Sequence, residues 1–516
     1  MQINHRRQFL TRVGSGMLLG SLGPSLAGDL GISSAHAADH DDRLTFGKLE
    51  PLVALMQETP LSRLQGVLVD RIRNGTDLPT LVAAGSLANA RTFGGNDYVG
   101  FHTFMALTPA LAMAAELPDE RSALPVLKVL YRNTERIQKF GGSSSEVLRR
   151  IDADHHDEAR STGAALQAAS RKADYNGAEK IMASLAGEPA NRIFNRVQYP
   201  MQDVTNVHRV VLAWRAWQAI DLVGEQHAST LLRQSVRFCL KSSADRIARG
   251  KADPELWTLL PQLLDQYKLL GTPFGDRRGD DQWAEELAWT IFQGNRAQAA
   301  DATAQAVKAG YAPDQIAEAI SIAANLLLLH DPGRKSDGDG DKVKGTVHGA
   351  SVGVHASDAA NAWRNIARVS DHRNAVASLL VGAYHTAGQS AHVRRERWPF
   401  QIDAVQAMDQ PTALLATAQQ AIQTRDQATA AAAAQRYGEL GGPPRQLFNL
   451  LLKYATSEDG ALHAEKYYRT VAEEFANTRK SMRWRQLIAL ARVSASEFGT
   501  RAPGYQEACE LLHVDT

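Results

Sequence analysis

The chain reads as mainly α, a multi-helix bundle followed by an Ala-rich C-terminal region of helical hairpins. Apolar residues recur at three- and four-residue spacing almost throughout, and strand-like alternation is scarce. Punctuation falls in short Gly, Pro and Asp clusters that leave helix-length segments between them, as at Phe93–Asp97, Leu270–Asp281, His330–Gly345 and Arg395–Gln401.

Residues 1–37 read as a twin-arginine export signal. Arg6 and Arg7 precede Gln8, Phe9 and Leu10, a mildly apolar Gly-rich run follows, and Ala35-His36-Ala37 supplies a small-x-small cleavage pattern. The expected location is periplasmic or secreted, with the twin-arginine translocation machinery as a partner. That route carries folded chains, which raises the expectation of a bound cofactor.

A cut after Ala37 removes Arg6, Arg7, Arg12 and Asp29, so the whole-chain charge of +1 becomes about −1. With no polybasic tract, nothing points to nucleic acid or to an anionic membrane. The longest apolar run after the signal, 99–117, contains His102 and Pro109 and reads as a buried helix, so no membrane span is expected once the signal is gone. Cys239 and Cys509 are the only cysteines; one disulfide and two buried thiols are both compatible with the sequence.

Residues 38–400 are expected to form a helical domain. Pro60 opens a helix with Leu61, Leu64, Val67, Leu68 and Ile72 on one side. Further helices are expected over 77–91, 100–117, 125–140, 203–223, 225–241, 280–292, 313–329, 347–368 and 373–388. Residues 401–516 change to Ala- and Gln-rich texture, with helices expected over 443–456, 461–477 and 481–496.

Chemistry-bearing side chains concentrate in "GTVHGASVGVHASDAANAWR", 345–364. Wound at about 100° per residue, His348, Ser351, His355, Asp358, Ala362 and Asn365 fall in one sector. Two imidazoles and a carboxylate along one line suit metal ligation, or acid–base work by His with Asp fixing its tautomer. On the next helix His385 is expected to face them.

His102 and His208 each sit among apolar neighbours, and the "GGNDY" loop before His102 offers backbone amides to a ligand. The expected metal set is His102, His208, His348 and His355, holding iron, copper or zinc; the expected catalytic set is His355, Asp358 and His385. His155, His156, His227, His392, His463 and His513 read as exposed. Val99-Gly100-Phe101-His102 and Val352-Gly353-Val354-His355 share three of four residues and would fit two helical halves facing each other across a site.

Two other readings stay open. Gly349-Ala350-Ser351-Val352-Gly353 matches G-x-S-x-G, which would make Ser351 a hydrolase nucleophile if a strand preceded it. A non-enzymatic helical scaffold needs no site at all. The aspartates of Ser336–Lys342 resemble part of a calcium loop but lack its closing glutamate; a solvated segment bordering the site helix, in the position of a lid, is expected.

Two blocks, 81–117 and 354–387, resemble the questin oxidase-like family of helical oxidoreductases. The family pattern is a loop-to-helix His ahead of an Ala/Leu-rich helix, then a His-Ala-x-x-x-x-Ala-x-Arg helix and another ending in a small-residue run; here His355-Ala356 and Ala362-x-Arg364 match it with five intervening residues in place of four. Phe101 stands where Asn is expected, and Asp358 and Trp363 have no counterpart. Fungal members insert oxygen into aromatic polyketides, so the resemblance implies a redox enzyme acting on a small organic molecule and carries over His102 and His355 only.

Overall fold

The computed structural model describes residues 42–151, 162–337, 343–347, 351–390, 393 and 401–516. The expected signal and His348 lie outside them, as does most of the aspartate-rich loop. The mainly helical class is what forms. Among the described residues no strand occurs, only isolated bridges such as Arg43 with Arg149. No described helix is long and apolar enough to cross a membrane.

The helices run α1 Glu50–Glu58, α2 Leu61–Arg73, α3 Leu78–Phe93, α4 Tyr98–Ala114, α5 Leu124–Phe140, α6 Gly163–Arg171, α7 Tyr175–Ser184 and α8 Ala190–Met201. They continue with α9 Val207–Val223, α10 Ala228–Ala248, α11 Leu256–Gln266, α12 Asp281–Gln293, α13 Arg296–Lys308, α14 Pro313–Leu329, α15 Val352–Val369 and α16 His372–Ala387. The C-terminal run holds α17 Asp403–Gln406, α18 Pro411–Gln423, α19 Gln427–Glu439, α20 Pro444–Ser457, α21 Ala464–Asn477, α22 Trp484–Glu497 and α23 Tyr505–Leu512. Local chemistry sets their starts. Asp97, Asn206 and Ser351 cap α4, α9 and α15 by accepting from the amides of Gly100, His208 and Val354.

Four of these helices form a closed ring. α4 packs on α9 and on α21, α9 on α15, and α15 on α21. They run in the same direction. Near the start of α4 and α9, His102 meets His208, and farther along Thr108 donates to Gln218 at 3.2 Å. Between α15 and α21, Asn361 and Asn365 donate to Glu473, each at 2.9 Å, well beyond the contact of His355 with His463. The C-terminal helices build much of a second apolar core of their own, yet α21 belongs to the ring.

Gly353 is required where α15 crosses α14. A Cβ there would stand 2.5 Å from Leu328 Cα and 2.6 Å from its backbone nitrogen. Gly353→Ala is therefore expected to push the two helices apart and to destabilise the protein by about 1–3 kcal/mol. The check is a lower urea midpoint at unchanged slope; an unaltered midpoint would show that the crossing relaxes freely.

Candidate functional site

Each ring helix presents one histidine at its start. His102 lies in the second turn of α4, His208 is the second residue of α9, His355 the fourth of α15, and His463 immediately precedes α21. The four imidazoles meet at that end of the ring. Nε2 of His102 lies 3.1 Å from Nε2 of His208, and Nε2 of His355 lies 3.1 Å from Nε2 of His463. The two pairs face each other, with ring centroids 5.2 Å apart for His102 and His463 and 5.6 Å for His208 and His355.

The outer nitrogens fix the tautomers. Nδ1 of His102 points at the Tyr98 carbonyl at 2.7 Å, and Nδ1 of His463 at the Ala461 carbonyl at 3.0 Å. Nδ1 of His208 lies 3.2 Å from Asn206 Oδ1, an atom identified as oxygen because it also accepts from the His208 amide. Carbonyl oxygens only accept, so these three Nδ1 atoms carry the protons and their Nε2 atoms present lone pairs inward. Second bonds of this kind orient imidazoles in metal shells.

Consequently the His102–His208 contact sets two lone pairs 3.1 Å apart with no proton between them. An imidazolium would relieve it, but the surroundings oppose one. Burial, then the positive charge of Lys466, then the neighbouring imidazoles push His102 down to about 2, and burial and Lys466 push His208 to about 3. Burial likewise holds His463 well below the usual histidine range. Ligands at about 2.0–2.1 Å from a shared ion lie about 2.9–3.4 Å from one another, and the observed pairs fall inside that range. Among the described residues no group of three His, Cys, Asp or Glu is already spaced as a complete shell; the donors come as two pairs.

The surroundings differ on the two sides. Phe101 stacks 5.0 Å from His102 and stands 5.1 Å from His208, and the Tyr98 ring, 61% exposed, lies 4.4 Å from His102 on the solvent side. Three residues after each imidazole, the first pair is followed by buried Met105 and Val211, the second by buried Asp358 and Lys466. Asp358 accepts from the Thr470 hydroxyl at 2.8 Å, and burial pushes its carboxyl up. The start of α21 is anchored by Lys128, whose Nζ reaches Glu465 at 2.6 Å and the Ala455 carbonyl at 3.0 Å in full burial.

Several expectations change. His463 is buried, 3% exposed, and takes the fourth position foreseen for His348. Helix α15 starts only at Val352, so Ser351 is its cap and not part of one continuous polar face. Residues 343–347 carry no strand, and Ser351 Oγ is engaged as the cap of α15, accepting from the Val354 amide, whereas a nucleophile elbow needs a strand directly before the serine. His385 is buried beside the site but occupied otherwise: its Nδ1 accepts from Trp363 Nε1 at 3.4 Å, and its ring makes no stacking contact with the four. The Gly94–Asp97 loop serves packing, since a Cβ on Gly95 would meet the Gln234 carbonyl at 2.3 Å. Cys239 and Cys509 are separate buried thiols.

The two pairs repeat one spacing: 106 residues separate His102 from His208 and 108 separate His355 from His463. Together with the shared Val-Gly-x-His starts, this makes the site a pseudo-twofold meeting of two halves. No family model, curated protein or solved structure matches the chain.

Proposed function

We propose that this chain is an exported, metal-dependent oxidoreductase acting on a small organic molecule, with His102, His208, His355 and His463 holding the ion. The observation that carries the reading is the contact of two unprotonated Nε2 atoms at 3.1 Å between His102 and His208, in surroundings that refuse an imidazolium. A buried contact between lone pairs is costly, and a shared cation removes the cost.

Four imidazoles suit iron, copper or zinc. Iron or copper would supply one-electron exchange with an organic molecule and dioxygen, the chemistry implied by the likeness of the blocks around His102 and His355 to the questin oxidase-like family. The chain itself orients the imidazoles through Tyr98, Asn206 and Ala461, and places Phe101 and Tyr98 between them and bulk water. The twin-arginine pattern at Arg6 and Arg7 supports export after folding.

A second reading, a periplasmic scaffold with structural histidines, is favoured by the arrangement of the donors as two pairs. Elemental analysis of protein purified from its native compartment separates the two. About one iron or copper per chain, with a fall in melting temperature on chelation, supports the oxidoreductase. One zinc per chain supports the metal site and removes the redox step. A metal-free chain whose melting temperature ignores both chelator and added metal overturns the proposal in favour of the scaffold.

A further inference from the structure

The charges around the four imidazoles do not balance. Lys466, on the first turn of α21, is 2% exposed, and no hydrogen bond or ion pair joins its Nζ to any described residue. Its charge acts on His102, His208 and His463 together. Arg215, seven residues beyond His208 on the same face of α9, is also 2% exposed and donates to Gln218 at 2.6 Å.

Three carboxylates stand nearby: Asp358, Glu465 and Glu473. Glu473 is taken up by Arg469 at 2.8 Å and by the amides of Asn361 and Asn365. Glu473 also faces Arg215, and Glu465 and Asp358 face Lys466, but Glu465 is matched by Lys128 at 2.6 Å. Against Lys466, Arg215, Arg469 and Lys128 stand only Asp358, Glu473 and Glu465, an excess of one positive charge before any ion binds. Four helix N-termini converge on the same place, each with the positive end of its dipole. A dication on neutral imidazoles would bring the excess to about three elementary charges in a buried volume, which electrostatics in low dielectric strongly disfavours.

Resting on the metal reading above, we propose that the ion's remaining partner is an anion recognised by Lys466, so that the substrate or co-substrate enters as a carboxylate, a phenolate or a small inorganic anion. The pseudo-twofold arrangement gives the pocket a direction. The anionic end belongs on the side of Asp358 and Lys466, where the second half of the chain departs from the apolar Met105 and Val211 of the first.

The test uses the full mature chain loaded with Cu(II), as wild type, Lys466→Met and Lys466→Arg. Metal content is measured first, then azide and benzoate are titrated by their effect on the copper absorption spectrum, with neutral imidazole as the comparison ligand. One copper per chain is expected in all three proteins, with azide affinity at least about tenfold weaker in Lys466→Met and largely kept in Lys466→Arg. Imidazole affinity should be the same throughout. Benzoate following azide identifies an organic anion as the natural class; azide alone identifies an inorganic one.

Copper bound in both proteins with equal azide affinity in wild type and Lys466→Met overturns this inference and leaves the metal reading intact. Failure of the wild type to bind copper overturns both. If Lys466→Met does not fold, the wild type alone decides, because azide binding more weakly than imidazole would also overturn the inference.

Discussion

Replacing His463 with alanine is expected to abolish stoichiometric metal binding while leaving the helical content of the protein unchanged. The change removes one of four inward Nε2 donors and leaves His355 facing a void. Losing a donor from a shell whose other members are fixed by Tyr98 and Asn206 gives the remaining three no freedom to close around the ion. In the wild type, metal at 100 times its dissociation constant should add about 2.7 kcal/mol of stability. His463→Ala should show none of that increment. His513→Ala, at an exposed histidine, should retain all of it. Thermal melts with and without metal read the difference, and an intact increment in His463→Ala would remove this residue from the site.

Acid should unfold the metal-free protein early. Burial holds His102 at about 2 and His208 and His385 at about 3. In the unfolded chain each returns to a value near 6.5, so below that pH the unfolded state binds more protons than the folded one. The stability these groups lend is complete above about pH 6.5 and drains away as pH falls toward 3. Each buried imidazole contributes a loss of about 2 kcal/mol by pH 5. Melting temperature measured from pH 8 to 4.5 should be level and then fall steeply below 6.5. A bound metal competes with protons for the same nitrogens, so the loaded protein should hold its plateau to lower pH. A flat profile down to pH 5 in the metal-free protein would mean that these rings are not held neutral by their burial.

Much of the fold was legible because helix signals are local. Pro313 starts α14 and Gly141 follows α5, each where helix chemistry favours it. The short helices α6 and α7 escaped notice because they carry only a narrow apolar stripe between polar turns. His102, His208 and His355 announced themselves as imidazoles among apolar or small neighbours.

His463 did not, because Asp459, Glu465 and Lys466 around it give the segment the look of a solvated surface. Two of those charges are buried or half-buried through distant partners: Glu465 by Lys128 and Asp459 by Arg132, more than three hundred residues earlier. No window on the sequence contains both ends of such a pair. The signal that was available is the repeated spacing, since a second Val-Gly-x-His start implies a second downstream histidine at a similar interval. The extent of the polar face on α15 was misjudged for a different reason. Periodicity continues through Ser351, but a capping serine ends the helix there, and period alone does not see caps.

The four donors come from segments scattered over most of the polypeptide, and the last of them lies within about the final tenth of it. During synthesis the four imidazoles cannot assemble until nearly everything has been made, so on the proposed metal reading capture of an ion would report that both halves have docked. A chain halted before His463 carries three donors and an open fourth side, and on that reading should emerge without the ion.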